Sequence, residues 1–218
     1  MSGDSSYPER PEHAGWSSSF PRFRETPARV IRSSLMSFVG SPSVEQVRAW
    51  DESIGPLQVE VAEVLAQNSR AASYAAILEY ELPLEYRRPD AILLLANAVL
   101  VLELKGKGVV TPADVDQAGG YARDLRAYHR ECATRPVCAA LVLTQAQGIL
   151  GEEAGVRVVG PDAVDSVVAT LDQGGAFDPV PVDRFLSQDA YRPLPTLVEA
   201  AREPVSYTHL TLPTTERV

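Results

Sequence analysis

Histidine, cysteine and long apolar runs are scarce in this chain of 218 residues, and each scarcity narrows the possible functions. The chain has three histidines and two cysteines. The spacing of Cys132 and Cys138 fits neither a zinc site nor a disulfide framework, so we expect ordinary thiols. No apolar run reaches the roughly 18 residues of a membrane span, and the first residues lack a hydrophobic signal segment. These features predict a cytoplasmic protein with no membrane partner.

Lysine is also scarce, since Lys105 and Lys107 are the only lysines among 20 basic residues. The many arginines and alanines indicate a GC-rich genome, in which arginine replaces lysine wherever the exchange is harmless. Lysine carries a compact ammonium group with a tunable pKa, whereas the guanidinium group is forked and always charged. The two retained lysines therefore favour a role that arginine cannot fill, with chance as the alternative.

The length and composition of the chain indicate one globular domain with additional tail segments. A net charge of −9 argues against a non-specific nucleic-acid coat protein, but it allows an enzyme with a local basic groove. Residues 1–27, rich in Ser, Pro, Glu and Arg, predict a disordered N-terminal arm. We expect the folded domain over 28–175 and a connector over 176–204.

The last residues, 205–218, read "VSYTHLTLPTTERV" and resemble a translated sequencing-library adaptor. The natural sequence is therefore expected to continue beyond Pro204. His209 then carries no information about function, which leaves His13 and His129 and disfavours a histidine-based metal centre.

The hydrophobic pattern predicts an α/β protein with a mixed sheet flanked by helices. Ser43 is a candidate helix cap, and Gly55-Pro56 is expected to break or kink the helix that follows. The remaining elements are three strands, a helix capped by Thr111, two further strands and a final helix: Ala75–Leu82, Asp90–Leu95, Val99–Lys105, the helix from Pro112, Val137–Thr144, "GVRVVG" and Pro161–Leu171. The short "ANA" connection predicts a hairpin between the second and third of these segments.

Three charged residues stand at the ends of the two hairpin strands in "RRPDAILLLANAVLVLELKGK". Side chains alternate along a strand, so Glu103 and Lys105 share one face, and the hairpin can bring Asp90 beside them. Two carboxylates, with the Leu104 carbonyl and waters, would suit Mg²⁺ or Mn²⁺. Lys105 could then orient or activate the water that attacks a phosphodiester. The alternative is a salt bridge that closes the sheet edge, although burying such charges costs several kcal/mol unless they are paired.

The helix that follows the hairpin carries a second polar pair. Gln117 and Tyr121 lie four residues apart on one face, where they could bond to the lysine or to a DNA phosphate. The alternative is that Tyr121 is an amphipathic residue at the core edge. Gly119-Gly120 costs the helix about 1 kcal/mol per glycine relative to alanine, which suggests a close approach to the backbone there.

Together, "RRPD…LELK" and "DQAGGYARDL" resemble the PD-(D/E)xK nuclease superfamily, with a Gln-xxx-Tyr helix similar to that of RecB-type exonuclease domains. Over residues 40–204, "VRAW", "LEYELP", "LVLT" and "YRPLPTLVEAA" extend the resemblance to the N-terminal region of bacterial proteins that end in a superfamily-1-like helicase or ATPase. The resemblance implies a restriction-endonuclease-like mixed β-sheet flanked by helices. It also implies metal-binding roles for Asp90 and Glu103, a catalytic role for Lys105, and accessory roles for Gln117 and Tyr121.

Many members of this superfamily carry a further acidic residue on the first helix. Here the choice stays open between Glu45, Glu52, Glu60 and Glu79. The leading hypothesis is an Mg²⁺-dependent or Mn²⁺-dependent deoxyribonuclease module, with DNA and a C-terminal helicase as partners. The alternatives are a catalytically inactive DNA-binding or interaction module on the same fold and, more remotely, a small metabolic α/β protein. No GxxxxGK[ST] phosphate-binding loop occurs in the sequence, so an ATPase would lie beyond it.

Overall fold

The computed structural model describes residues 13–83, 87–173 and 177–192. Within these ranges the chain forms strands and helices in the order β1 (Ala14–Ser19), α1 (Phe20–Glu25), α2 (Ala28–Val39), α3 (Val44–Gln67), β2 (Ala75–Tyr80), β3 (Ala91–Leu94), β4 (Val99–Lys105), α4 (Pro112–Tyr128), β5 (Val137–Leu143), β6 (Leu150–Glu153), β7 (Val156–Val159), α5 (Val164–Leu171) and α6 (Val182–Phe185). In this part of the chain, no helix is both long enough and apolar enough to cross a membrane.

The strands form one mixed sheet of seven in the order β1-β2-β3-β4-β5-β7-β6. Strands β1 to β4 are antiparallel neighbours, and β5 and β7 then continue parallel to β4. The prediction of a mixed sheet flanked by helices is confirmed at this level. Strand β6 was not predicted, because "LGEE" is exposed along its whole length and so lacks an apolar signal.

The alternation of side chains along β4 divides the core into two layers. Leu100 and Leu102 face the layer beneath α2, α3 and α5. Val99 and Val101 face the layer beneath α4 and α6. Both faces of the central strands are therefore buried, as expected for strands that read as nearly continuous apolar runs.

The folded domain begins well before the predicted boundary at residue 28. Strand β1 pairs with β2, with Trp16 opposite Leu78. Phe20 and Phe23 in α1 are fully buried, and Phe20 meets Tyr74 edge to face at 5.8 Å between ring centroids. The prediction of a disordered arm is wrong for residues 14–25, because their aromatic side chains fill the core although the surrounding composition is polar. Residues 1–12 lie outside the described residues.

Helix α3 continues across Gly55-Pro56, so the helix is not broken there. Its buried face includes Trp50, Ile54, Leu57 and Val61, on both sides of the proline. Packing of this continuous apolar face against the sheet outweighs the cost of one proline, since most helix stability in proteins comes from tertiary contacts. The Ser43 cap is confirmed, as its side chain accepts a hydrogen bond from the backbone N–H of Gln46.

The predicted hairpin and the helix after it are confirmed. Strands β3 and β4 are antiparallel neighbours, with Ala91 opposite Leu102. Helix α4 begins at Pro112, where the Asp114 carboxylate accepts a hydrogen bond from the backbone N–H of Thr111. A Cβ at Gly119 would lie 3.3 Å from a methyl carbon of Val156, which accounts for a glycine at this position.

The predicted connector is also part of the folded body, over the described residues 177–192. The His129 ring stacks on Phe185 of α6 with 4.0 Å between centroids, and its Nε2 lies 3.0 Å from the Phe185 carbonyl oxygen. Burial lowers the pKa of His129 to about 4, so the ring is neutral near pH 7. This packing places the end of the domain beyond the expected residue 175. The remaining connector and the adaptor-like tail, 193–218, lie outside the described residues.

Candidate active site

The hairpin brings Asp90, Glu103 and Lys105 together at one end of β3 and β4. The Lys105 Nζ lies 2.8 Å from Glu103 Oε1, on the face that strand alternation predicts. The backbone N–H of Leu104 donates a hydrogen bond of 2.7 Å to Asp90 Oδ2. Asp90 directly precedes the Ala91–Leu102 pair in the ladder, so the register itself sets the carboxylate beside the end of β4.

The carboxylates of Asp90 and Glu103 are both buried, so their charged forms lose the stabilisation that water would provide. Glu103 is only 3% exposed. Desolvation, together with the negative charge of Glu103, raises the pKa of Asp90 well above its usual value. Desolvation also raises the pKa of Glu103, and the hydrogen bond from Lys105 opposes this effect. Perturbed carboxylates that adjoin one another are typical of functional sites, although structural ion pairs produce them too.

Lys105 is held in place from two sides. Besides its contact with Glu103, its ammonium group donates a hydrogen bond of 3.0 Å to Gln117 Oε1. Burial alone would lower the pKa of Lys105, but the hydrogen bond to Glu103 and the charges of Glu103 and Asp90 raise it. The lysine therefore stays protonated at neutral pH. It is suited to orienting a reactant and neutralising negative charge, and unsuited to acting as a base.

Tyr121 extends this chain of hydrogen bonds along α4. The amide nitrogen of Gln117 lies 3.4 Å from the Tyr121 hydroxyl, which fixes the orientation of the Gln117 amide. The Tyr121 ring is only 4% exposed and belongs to the core cluster beneath α4. The ring of Tyr121 thus packs at the core edge, while its hydroxyl accepts a hydrogen bond from Gln117 and reaches the lysine only through that amide.

Arg87 borders the site on its exposed side. Its guanidinium lies 5.5 Å from the centroid of the Tyr121 ring, and it forms an ion pair with Asp124. An arginine over an aromatic face is stabilised by the ring quadrupole. This cation was not singled out from the sequence, because nothing in the spacing of "RRPD" shows that it packs on α4.

Three of the four candidates for the additional acid are either exposed or bound to other partners. Glu45 is exposed in the first turn of α3. Glu52 pairs with Arg48 at 2.6 Å on the helix surface. Glu60 is buried and accepts a hydrogen bond of 3.0 Å from the backbone N–H of Asp165, near the start of α5.

Glu79 is the fourth candidate, and its charge acts on the site. Its negative charge contributes to the raised pKa of both Asp90 and Glu103. The backbone at Glu79 is left-handed, with φ at 52°, a conformation that costs of the order of 1–3 kcal/mol for a residue other than glycine. The Glu79 side chain reaches across to α3, where it accepts a hydrogen bond of 2.8 Å from the indole N–H of Trp50. Sequence periodicity could not reveal this, because regular alternation does not hold at a left-handed residue.

One carboxylate oxygen at the site has no protein partner among the described residues. Glu103 Oε2 is buried and has no hydrogen-bond partner in the described part of the chain. Carboxylate oxygens are the ligands that a hard cation such as Mg²⁺ prefers, and Mg²⁺ keeps several waters and needs few protein ligands. Glu79 is less available, because one oxygen accepts from Trp50 and the other lies 3.2 Å from the Arg88 guanidinium. Among residues 13–83, 87–173 and 177–192, no group of three or more His, Cys, Asp or Glu side chains is arranged to hold a metal ion.

A cleft adjoins the carboxylates on the α3 side of the sheet. It has a volume of about 130 Å³ and is lined mainly by apolar side chains of α3, β2 and β4. Glu79 and Asp90 line the same cleft. The site thus has a charged part facing α4 and an apolar recess facing α3.

Comparisons of the chain with protein-family models, with curated proteins and with solved structures found no match. The chemistry of the site must therefore be inferred from its own residues.

Proposed function

We propose that this chain is a metal-dependent deoxyribonuclease module with a restriction-endonuclease-like, PD-(D/E)xK fold. The observation that carries the proposal is the Glu103 carboxylate, which keeps one buried oxygen without a partner in the described ranges while the other oxygen holds Lys105. A salt bridge that only closed a sheet edge would satisfy both oxygens, because leaving a buried carboxylate oxygen unpaired is costly. An unpaired oxygen beside Asp90 is instead suited to a cation.

Each residue then has a distinct role. Asp90 and Glu103 would hold Mg²⁺ or Mn²⁺, with the Leu104 carbonyl and waters as further ligands. When bound, the ion supplies stabilisation of the negative charge on the phosphoryl oxygens. Lys105, kept cationic by Glu103, orients the attacking water and neutralises charge on the same phosphate.

The α4 residues position the lysine. Gln117 accepts a hydrogen bond from the Lys105 ammonium, which leaves the other ammonium hydrogens for Glu103 and a reactant. Tyr121 fixes the Gln117 amide so that its oxygen faces the lysine. Preorganised donors of this kind contribute to catalysis because they need no rearrangement during the reaction.

A second function has its own supporting observation. Both oxygens of Glu79, whose charge acts on the site, are engaged by Trp50 and Arg88. A module on the same fold that binds DNA without cutting it would tolerate this arrangement, since it needs no third free carboxylate. In this alternative, too, a C-terminal helicase or ATPase is the expected partner.

Incubation of the purified chain with linear, circular and single-stranded DNA tests the two functions. Cleavage should require Mg²⁺ or Mn²⁺ and stop on addition of EDTA. Lys105→Ala and Asp90→Ala should each lower the rate by roughly 10²–10³, the usual effect of removing one preorganised electrostatic group.

The matched control is Lys107→Ala, the only other lysine, which pairs with Asp114 instead of a site carboxylate. It should retain most of the activity. Equal cleavage by the wild type, Lys105→Ala and Asp90→Ala would refute the nuclease assignment. Binding of DNA without cleavage in any metal would support the inactive module.

A further inference from the structure

The cleft on the α3 side has the size of a single ring. Its volume of about 130 Å³ is close to that of a cavity of roughly 150 Å³ known to bind benzene. Ile54 and Leu57 of α3 form one wall, and Leu78 of β2 with Ala91 of β3 forms the other.

The polar side chains that line the cleft are mainly hydrogen-bond acceptors, namely Glu52, Ser53, Glu79 and Asp90, with the amide of Gln46 and the hydroxyl of Thr144. Glu52 and Ser53 line the cleft beside Asp90. The Ser53 hydroxyl donates its hydrogen to the Ala49 carbonyl at 2.6 Å, so its oxygen can act only as an acceptor toward a ligand. Acceptors of this kind match the amino and ring N–H groups on the edge of a nucleobase. The polar lining of the cleft therefore suits the edge of a base.

The cleft opens beside the carboxylate that would bind the metal. Asp90 lines the cleft and also receives the Leu104 N–H at the end of β4. A nucleotide whose phosphate lies at Asp90 and Glu103 would thus have its base within reach of the apolar recess. A paired base could enter only after it had been unstacked and unpaired, which costs energy that an unpaired strand does not need.

We propose that this cleft binds one unpaired nucleobase of the strand that is cut, so that the substrate class is single-stranded DNA or a frayed DNA end. The placement of the phosphate rests on the proposed function, whereas the binding of the base rests on the size, the apolar walls and the hydrogen-bond acceptors of the cleft.

Trp50 provides a direct readout of base binding, because it lines the cleft. Trp16 is the only other tryptophan, so Trp16→Phe leaves one reporter. In this variant, with Lys105→Ala added to prevent cleavage and Mg²⁺ present, the probes are a single-stranded hexamer of deoxycytidine and an abasic hexamer of equal length and charge. The cytosine strand should quench Trp50 fluorescence and bind about tenfold more tightly than the abasic strand, in line with the effect of removing one base contact.

A substitution at the mouth of the cleft completes the test. Ala49 is exposed and lines the mouth, so Ala49→Phe should block it without disturbing the core. The preference for the cytosine strand should then disappear. Ala66→Phe, at an exposed position on the same helix outside the cleft lining, should keep the preference.

The outcomes separate this inference from the nuclease proposal. Equal affinity for the two hexamers, or a preference that survives Ala49→Phe, would overturn base binding even if the chain cleaves DNA. A preference for the cytosine strand that is lost only in Ala49→Phe would support base binding even if no cleavage is ever detected. Cleavage by the chain that retains Lys105 is measured separately, so each proposal can fail alone.

Discussion

Asp90→Asn should make the protein more stable while it removes a metal ligand. The substitution keeps the size of the side chain and an oxygen that can accept the Leu104 N–H, so it leaves no cavity and no unpaired backbone donor. It removes one of two neighbouring negative charges, whose desolvation and mutual repulsion raise the pKa of Asp90. A residue kept for function at a cost in stability should behave in this way.

The expected gain is about 1–2 kcal/mol at pH 7, the range seen when such functional strain is relieved. For a domain of this size it corresponds to a rise in Tm of roughly 2–8 °C. The gain should also depend on pH. Because the folded-state pKa of Asp90 is raised, its carboxyl group favours folding most below its unfolded pKa of about 3.9, and that contribution is lost as the pH rises through the folded pKa. The advantage of Asp90→Asn should therefore be small near pH 4 and larger at neutral pH.

Thermal unfolding of the two proteins in EDTA, followed by circular dichroism between pH 4 and 8, measures this difference. Asp51→Asn is the control, since Asp51 forms an exposed ion pair with Arg32, and it should change stability by no more than about 0.5 kcal/mol. A loss of about 3–5 kcal/mol for Asp90→Asn at pH 7 would refute the reasoning, because it is the signature of a broken structural ion pair.

Three further predictions follow from the site and the core. Addition of Mg²⁺ at 100 times its Kd should stabilise the folded wild type by about 2.7 kcal/mol, which is measured as a rise in Tm. The rise should be absent in Glu103→Ala. An equal rise in both proteins would exclude Glu103 as a ligand. Gln117→Ala should lower the rate of DNA cleavage about tenfold, because it removes a positioning hydrogen bond worth roughly 1.4 kcal/mol, and it should leave Tm unchanged. An unchanged cleavage rate would show that Gln117 has no role in the reaction. Phe20→Ala should lower the free energy of unfolding by about 3–5 kcal/mol. Phe177→Ala, at a side chain 53% exposed, should lower it by less than about 1 kcal/mol. Equal small effects of the two substitutions in denaturant titrations would show that α1 does not contribute to the core.

The parts of the fold that were predicted correctly depend on short-range patterns. The hairpin follows from two apolar runs and a short connection, and α4 begins where Thr111 and Pro112 indicate. The convergence of Asp90 with Glu103 and Lys105 then requires only strand alternation and the hairpin register.

The parts that were missed depend on long-range contacts. Phe20 and Phe23 belong to the core because α1 meets α3 and β2, and neither contact is visible in the polar composition around them. The proline in α3 is tolerated because of what the helix packs against. The side chain of Glu79 reaches α3 because of one left-handed backbone conformation, which no periodicity encodes.

The site residues from Asp90 to Tyr121 come from one continuous stretch comprising β3, β4 and the first part of α4. Closing such short loops costs little chain entropy, and contacts between residues near in sequence form quickly during folding. The carboxylates, the lysine and the glutamine can therefore meet before the distant elements, α5 and α6, are in place. A single genetic exchange spanning this stretch would also carry the whole set into another chain, so the chemistry can be inherited as a unit while the flanking helices change.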